Sequence, residues 1–223
     1  MTEVADRLAA VQRRIEEAAR RAHRDPSEVT LVAVSKRKPA TDVVAAHGAG
    51  ARVFGENYVQ ELVDKVPEVG PRADLKWHYI GHLQRNKANA LLGVEGLDLV
   101  HGVDRAKLLR ALDKRTSSRL GVLIQVNVSG EASKSGCAPD ALGELVAEAR
   151  ACAHLELRGL MTMPPPVDDP EEVRGYFRML RELRDRHDAG PELSMGMSAD
   201  YPVAIEEGAT MVRVGSAIFG PRT

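Results

Sequence analysis

The stretch TLVAVSKRKP, residues 30–39, sets four apolar residues in a row and then turns abruptly cationic. Side chains of a strand alternate between its two faces, and Leu31, Val32, Ala33 and Val34 are apolar on both. That is how a strand covered on two sides reads, as in a parallel sheet flanked by helices; a strand with one wet face would alternate. Lys36 then stands near the strand's carboxyl end, in company where a buried ammonium is costly.

The same signal recurs down the chain. Short apolar runs at 29–35, 52–55, 76–80, 97–101, 121–128, 155–161, 192–195 and 210–214 alternate with helix-like stretches at 41–49, 57–66, 84–91, 104–117, 139–151, 170–187 and 201–207. Ahead of them Val4, Leu8, Val11, Ile15 and Ala19 recur at helical spacing, predicting an amphipathic helix that ends before Asp25-Pro26. Strict strand–helix alternation requires parallel strands joined by crossover helices. About eight of them predict an α/β chain closed into a single (β/α)8 barrel of the TIM type with an additional N-terminal helix, one domain over residues 1–223. A doubly wound open sheet is the competing arrangement. The barrel is favoured because the sequence stops too soon after the last run for a long final helix, and the N-terminal helix can fill that gap. The MPPPVDDP segment, 163–170, reads as one rigid loop.

Composition narrows the classes further. With 223 residues, 43% of them hydrophobic and 28% charged, the chain has enough apolar surface for a sizeable core. A net charge of −1 with interspersed signs gives no electrostatic footprint for nucleic acid or an anionic membrane, so a small-molecule partner is expected; a monomer is the state expected, though nothing in the charge pattern fixes it. The N-terminus is charged throughout, and no run of about 18 apolar residues follows, so a cytoplasmic location is expected. Cys137 and Cys152 form no CxxC pair and have no histidine at ligand spacing, so both read as free thiols.

In a barrel, chemistry sits at the carboxyl ends of the strands. Those ends carry Ser35-Lys36-Arg37-Lys38, Gly55-Glu56-Asn57-Tyr58, His78 with Gly81 and His82, His101, Asn127, Met161-Thr162-Met163, the turn SMGMS at 194–198, and Arg213 with Gly215-Ser216. A desolvated lysine beside other cations loses its proton more readily and can form a Schiff base with a carbonyl; a lysine that snorkels to water is the plainer reading. The SMGMS and VRVGS turns follow the seventh and eighth strands, where barrels bind phosphate through backbone N–H groups and a helix start. Ser198 precedes Asp200-Tyr201-Pro202, which reads as a helix start, while Gly215 admits close backbone approach and Ser216 offers a hydroxyl.

Closure pairs strand eight with strand one and sets the lysine beside that cradle, so a carbonyl compound carrying a phosphate would span them. Pyridoxal 5′-phosphate has both groups on a flat ring. Arg213, on the same face two residues earlier, could reach the ring nitrogen, or instead pair with a barrel glutamate. His78, His82 and His101 stand on separate strand ends without a carboxylate signature, so no metal is expected. Glu56 reads as a general base or, more plainly, a capping carboxylate. Trp77 and Tyr79 alternate with His78 and so face the helices.

LVAVSKRKP, FGENYVQEL, WHYIGHLQRNK, VNVSGEASKSGC, GLMTMPP and LSMGMSADYPVAIEEGATMVRVGSAIFG, spread from about residue 30 to 221, together resemble the pyridoxal phosphate homeostasis proteins, single-domain relatives of the N-terminal barrel of alanine racemase. The resemblance implies that Lys36 holds pyridoxal 5′-phosphate as an internal aldimine, that Arg213 faces the pyridine nitrogen, and that Ser198, Gly215 and Ser216 contact the phosphate. It also places Asn57, His78 and Met197 near the ring. The implied role is to carry or buffer the cofactor inside the cell, with cofactor-dependent apo-enzymes as partners and no strong catalysis of its own. An amino-acid racemase or related isomerase is the alternative; it needs a second base opposite the lysine, supplied in the resembling racemases by a tyrosine from an additional domain. Here only Tyr58 and Tyr201 could approach. A lysine Schiff-base aldolase acting on a sugar phosphate without cofactor is the third reading.

Overall fold

The computed structural model describes residues 3–131 and 134–221. Eight strands, β1 (Thr30–Val34), β2 (Val53–Glu56), β3 (Lys76–Tyr79), β4 (Leu97–Val103), β5 (Leu120–Gln125), β6 (Leu155–Met161), β7 (Glu192–Ser194) and β8 (Met211–Val214), close in sequence order into one barrel. All eight neighbour pairings are parallel, including the one that closes the ring, in which Val32 of β1 pairs with Arg213 of β8. The fold is the (β/α)8 barrel expected, and the open-sheet competitor is set aside by that closing pair.

Helices α1 (Glu3–Arg21), α2 (Ala40–Gly48), α3 (Val59–Val69), α4 (Ala88–Leu92), α5 (Ala106–Asp113), α6 (Leu142–Ala151), α7 (Arg174–His187), α8 (Tyr201–Glu206) and α9 (Ser216–Phe219) surround it. Two boundaries differ from the sequence reading for local reasons. The segment from 57 carries its helix through Pro67, whose ring lies in the last turn before Gly70 takes a positive φ and ends it. The fifth strand stops at Gln125, and beyond it Val126 makes only an isolated bridge to Cys137. Ala132 and Ser133, within the 126–137 segment quoted above, lie outside the described residues.

Two apolar layers follow from the strand alternation. Val32, Leu99, Leu123, Met161 and Met211 pack against one another inside the barrel, while Ala33, Phe54, Trp77, Tyr79 and Val212 join the larger core under the helices. Helix α1 lays Leu8, Val11, Ile15, Ala18 and Ala19 into that core and packs on α8, α9 and α2, filling the gap in the ring as its periodicity predicts.

Three register shifts interrupt the ladders. Trp77 pairs with Leu97 but His78 with Leu99, which makes Asp98 an extra residue on β4; Val122 pairs with Leu157 but Leu123 with Gly159, which does the same to Arg158 on β6. The third lies on β4 between Val100 and Val103. Bulges of this kind re-aim side chains.

Leu8 is wholly buried at the seam between α1 and the barrel. Leu8→Ala is expected to cost roughly 2–5 kcal/mol, read as a lower urea midpoint at unchanged slope; a midpoint within error of the parent would show that α1 does not close the ring.

Candidate functional site

Lys36 owes its position to the turn that leaves β1. Ser35 N–H donates to Gly55 O (3.1 Å), Lys38 N–H closes the turn on Ser35 O (3.1 Å), and Arg37 adopts φ 58°, a left-handed conformation uncommon for a residue with a Cβ. A buried polar cluster holds that conformation. Lys65, projecting from α3, donates to Ser35 O (2.8 Å), Glu56 Oε1 (2.5 Å) and Glu61 Oε1 (2.7 Å); Ser35 Oγ donates to Glu56 Oε1 (2.8 Å) and Arg37 N–H to Glu61 Oε1 (2.5 Å). Glu56 has no exposed surface, and burial pushes its carboxyl above the usual range against the opposing pull of Lys65. The carboxylate that sequence alone leaves as base or cap therefore braces the lysine's turn.

Facing it across the β1–β8 seam is Arg213, which donates to Ser194 Oγ (2.6 Å) and to Thr162 O (2.9 Å). Burial pulls its guanidinium down to about 10, which leaves it a cation at neutral pH. Asp200 is the carboxylate that favours the charge, and no barrel glutamate pairs with Arg213 among the described residues.

A pocket of about 280 Å³ opens between these groups, lined by Lys36, Lys38, Asn57, Met197, Ser198, Arg213, Gly215 and Ser216 among polar and flexible residues, and walled by Val34, Ile80 and Phe219. That volume lies near the lower end of the roughly 300–1,000 Å³ typical of small-molecule sites. Two roomier hollows, of about 720 and 490 Å³, lie at the other end of the strands, between α3 and α4 and beneath α1. In barrels that end serves stability.

Two glycines let the backbone come close enough. A Cβ on Gly81 would sit 2.1 Å from Asn57 O, and one on Gly196, which has φ 89°, would sit 2.6 Å from Ala204 Cβ. The first keeps Asn57 against the pocket and the second seats the Met197-Ser198 turn on α8.

Seven of the eight residues singled out from sequence, Lys36, Asn57, Met197, Ser198, Arg213, Gly215 and Ser216, line this one pocket. His78 does not: it lies deeper in the barrel, 1% exposed, with Nδ1 3.0 Å from His101 Nε2 and Nε2 3.2 Å from Asp98 Oδ2. The start of α8 also differs from expectation. Asp200 Oδ1 accepts the Met197 N–H at 2.6 Å, so that amide is already engaged, and Ser198 turns instead toward Gly215, whose N–H reaches Ser198 Oγ at 3.4 Å. Ser194 and Thr162 stand in the sequence among the strand-end residues without a role of their own, and Lys65 and Asp98 are marked by no local pattern. The alternation that points Arg213 inward does the same for Ser194 and His101, but nothing in one strand's sequence says that they meet.

Among the described residues no group of three His, Cys, Asp or Glu side chains could hold a metal. Both cysteines are free thiols; burial pushes Cys137 up to about 11, which keeps it unreactive at neutral pH. No helix among the described residues is long and apolar enough to cross a membrane.

Two measurements check the electrostatics. Lys65→Met strands Glu56 as a buried, unpaired carboxylate and is expected to cost about 3–5 kcal/mol, much of it recovered in the double variant with Glu56→Leu. Burial also depresses the imidazole pKa values of His78 and His101, the latter well below 6.5. Below pH 6.5 the unfolded chain therefore takes up protons that the folded one does not, so this contribution is present above pH 6.5 and lost as pH falls toward the folded values. The unfolding free energy of the parent is expected to fall more steeply between pH 7.5 and 5.5 than that of His101→Gln; parallel slopes would contradict it.

Comparison with known proteins bears on this arrangement. Residues 7–223 match the family model described as alanine racemase, N-terminal domain. A pyridoxal phosphate homeostasis protein of Pseudomonas aeruginosa is 47% identical over 226 residues, covering 100% of this chain and 97% of its own length. One from Escherichia coli is 44% identical, with 100% and 98% covered. Among solved structures, PipY of Synechococcus elongatus with PLP bound superposes with a TM-score of 0.83 at 35% identity, over 97% of this chain and 100% of that one. Alanine racemase from Corynebacterium glutamicum superposes with a TM-score of 0.70 at 19% identity, over 97% of this chain but 62% of its own, which speaks for the fold alone. A barrel matched over its whole length by such relatives belongs to the alanine racemase N-terminal domain family, and within it to the pyridoxal phosphate homeostasis proteins.

Proposed function

We propose that this chain binds pyridoxal 5′-phosphate in the pocket between β1 and β8 and serves its homeostasis, carrying or buffering the reactive aldehyde and not transforming an amino acid. The observation that carries the reading is the pocket's chemistry: its titratable lining groups are Lys36, Lys38 and Arg213, three bases that stand around a space for one flat ring, with no carboxylate, histidine or tyrosine among the lining residues.

The residues present fit that ligand on the structure's own terms. Asn57 Oδ1 is buried without a hydrogen-bond partner among the described residues, an acceptor that a ligand hydroxyl would satisfy. A Cβ at Gly215 would press on Val34 O at 3.2 Å, so the backbone of β8 lies against β1 where an anionic group would rest near the hydroxyls of Ser198 and Ser216. Val34, Ile80 and Phe219 offer apolar surface to a ring. The ligand supplies an aldehyde. Lys36 would supply the amine that holds such an aldehyde through a reversible covalent link. Arg213, held from behind by Ser194 and Thr162, keeps its other N–H groups for a ring nitrogen.

Racemisation needs a base on each side of the substrate. Tyr58 is half exposed with Arg37 over its ring, 5.9 Å from the centroid, and Tyr201 is buried beneath Arg14 at 5.3 Å; neither lines the pocket. A reversible covalent hold without a second base suits storage and handover to apo-enzymes by a cytoplasmic monomer.

Borohydride reduction of the protein incubated with pyridoxal 5′-phosphate, followed by peptide mass spectrometry, is expected to place a phosphopyridoxyl group on Lys36. Lys36→Ala should lose the adduct while keeping its far-ultraviolet circular dichroism; an adduct retained in that variant would reject the assignment. Rapid deuterium exchange at Cα of any of a panel of amino acids would reject the carrier role.

A further inference from the structure

Behind Arg213 runs a line of polar side chains that the pocket does not touch. Arg213 Nη1 meets Ser194 Oγ at 2.6 Å, Ser194 Oγ meets His101 Nδ1 at 2.9 Å, His101 Nε2 meets His78 Nδ1 at 3.0 Å, and His78 Nε2 meets Asp98 Oδ2 at 3.2 Å. Asp98 Oδ2 also accepts from Arg158 Nη1 at 3.0 Å, and Arg158 pairs in turn with Glu192 at 2.5 Å. The line starts near the amino-terminal end of β4, where Asp98 is a quarter exposed, and finishes under the pocket. Ser194 and His101 have no exposed surface and His78 has 1%.

The charges at the two ends fix the direction of every bond between them. The hydrogen bond from His78, with help from Arg158, holds the Asp98 carboxyl well below the usual carboxylate range, so Asp98 is ionised and can only accept. His78 must therefore carry its proton on Nε2. Burial keeps that ring neutral, which leaves Nδ1 an acceptor and requires His101 to carry its own proton on Nε2. His101 Nδ1 then accepts, and Ser194 must donate to it. From the other end, Arg213 can only donate, so Ser194 Oγ accepts from Arg213 and has its one proton left for His101. Both derivations give the same polarity. A proton added to either imidazole would break it: His101 would become a donor to Ser194, whose own proton would lose its acceptor.

We propose that Asp98, His78, His101 and Ser194 form a one-directional hydrogen-bond chain that positions Arg213 for the pocket's ligand. The functional half of this inference rests on the reading of the pocket given above; the polarity of the chain does not. His78 and His101 act through Ser194 as positioning residues and do not touch the ligand. The bulges have a purpose in this arrangement. Asp98 and Arg158 are the two residues interposed by the register shifts on β4 and β6, and their side chains meet at the foot of the chain. The charged groups facing the imidazoles are Asp98 and Lys76 beside His78, Arg158 beside both rings with Glu192 paired to it, and Arg213 beside His101 with Asp200 beyond.

Two experiments test it separately. In ligand-free protein labelled with 15N-histidine, long-range proton–nitrogen correlation at pH 7.5 is expected to show His78 and His101 both neutral, each protonated at Nε2 and bare at Nδ1. A proton on Nδ1 of either ring would overturn the chain, whatever the protein binds. Titration with pyridoxal 5′-phosphate followed by absorbance then tests its use. Ser194→Ala is expected to bind at least about tenfold more weakly, the loss of a hydrogen bond to a charged group, and to shift the absorbance maximum of the bound ligand. Ser194→Thr, which keeps the hydroxyl, is expected to restore both. Parent affinity and parent spectrum in Ser194→Ala would overturn the positioning role. Failure of the parent to bind the ligand at all would overturn the pocket's assignment and leave the imidazole result standing.

Discussion

Pairing of β1 with β8 is the constraint on which the site depends. Val32 and Arg213 are register partners, so the residues that follow each strand, Lys36 on one and Gly215-Ser216 on the other, are brought to the same rim although 178 residues lie between Lys36 and Gly215. Neither end of the chain holds a pocket alone. An amine, a guanidinium and a pair of hydroxyls converge there only because the sheet closes, and the apolar layer of Val32, Leu99, Leu123, Met161 and Met211 beneath them makes closure favourable by filling the barrel.

Lys65 with Glu56 and Glu61 braces the lysine's turn from the helix side of the sheet, and the Asp98–His78–His101–Ser194 line reaches Arg213 from inside the barrel. Buried charges of this kind stabilise little, because desolvation offsets much of their attraction. Their effect is on geometry: the first fixes the backbone on either side of Lys36, and the second, with Thr162, holds Arg213 from behind so that its remaining N–H groups face the pocket.

Much of this is legible in the sequence, and the rest is hidden for a definite reason. The continuous apolar run at 31–34 and its seven successors carry the parallel, two-sided sheet, and the stripe from Val4 to Ala19 carries the closing helix. Lys36 and the two serine–glycine turns are found because each lies just past a strand, and Arg213 because it is the penultimate residue of β8; for all of them position along the chain is enough. His78 shows the limit. Alternation points it inward correctly, but whether an inward side chain at mid-strand reaches a pocket or a neighbour depends on the stagger between strands. Here the stagger includes extra residues at Asp98 and Arg158 that no local pattern marks. The Glu56–Lys65 pair is hidden likewise, since it joins a strand end to the second turn of the following helix.

Helix α1 touches α8 and α9, and Phe219 and Gly220 form part of the pocket wall. The amphipathic face of α1 therefore has to wait for α8 and α9 before it can dock, and the pocket is not complete until β8 has paired with β1. Contacts so distant in sequence make for slow folding, with sticky surface left bare meanwhile. The interval before the β1–β8 seam seals is thus the one in which the pocket is incomplete and the apolar surface is most exposed to aggregation.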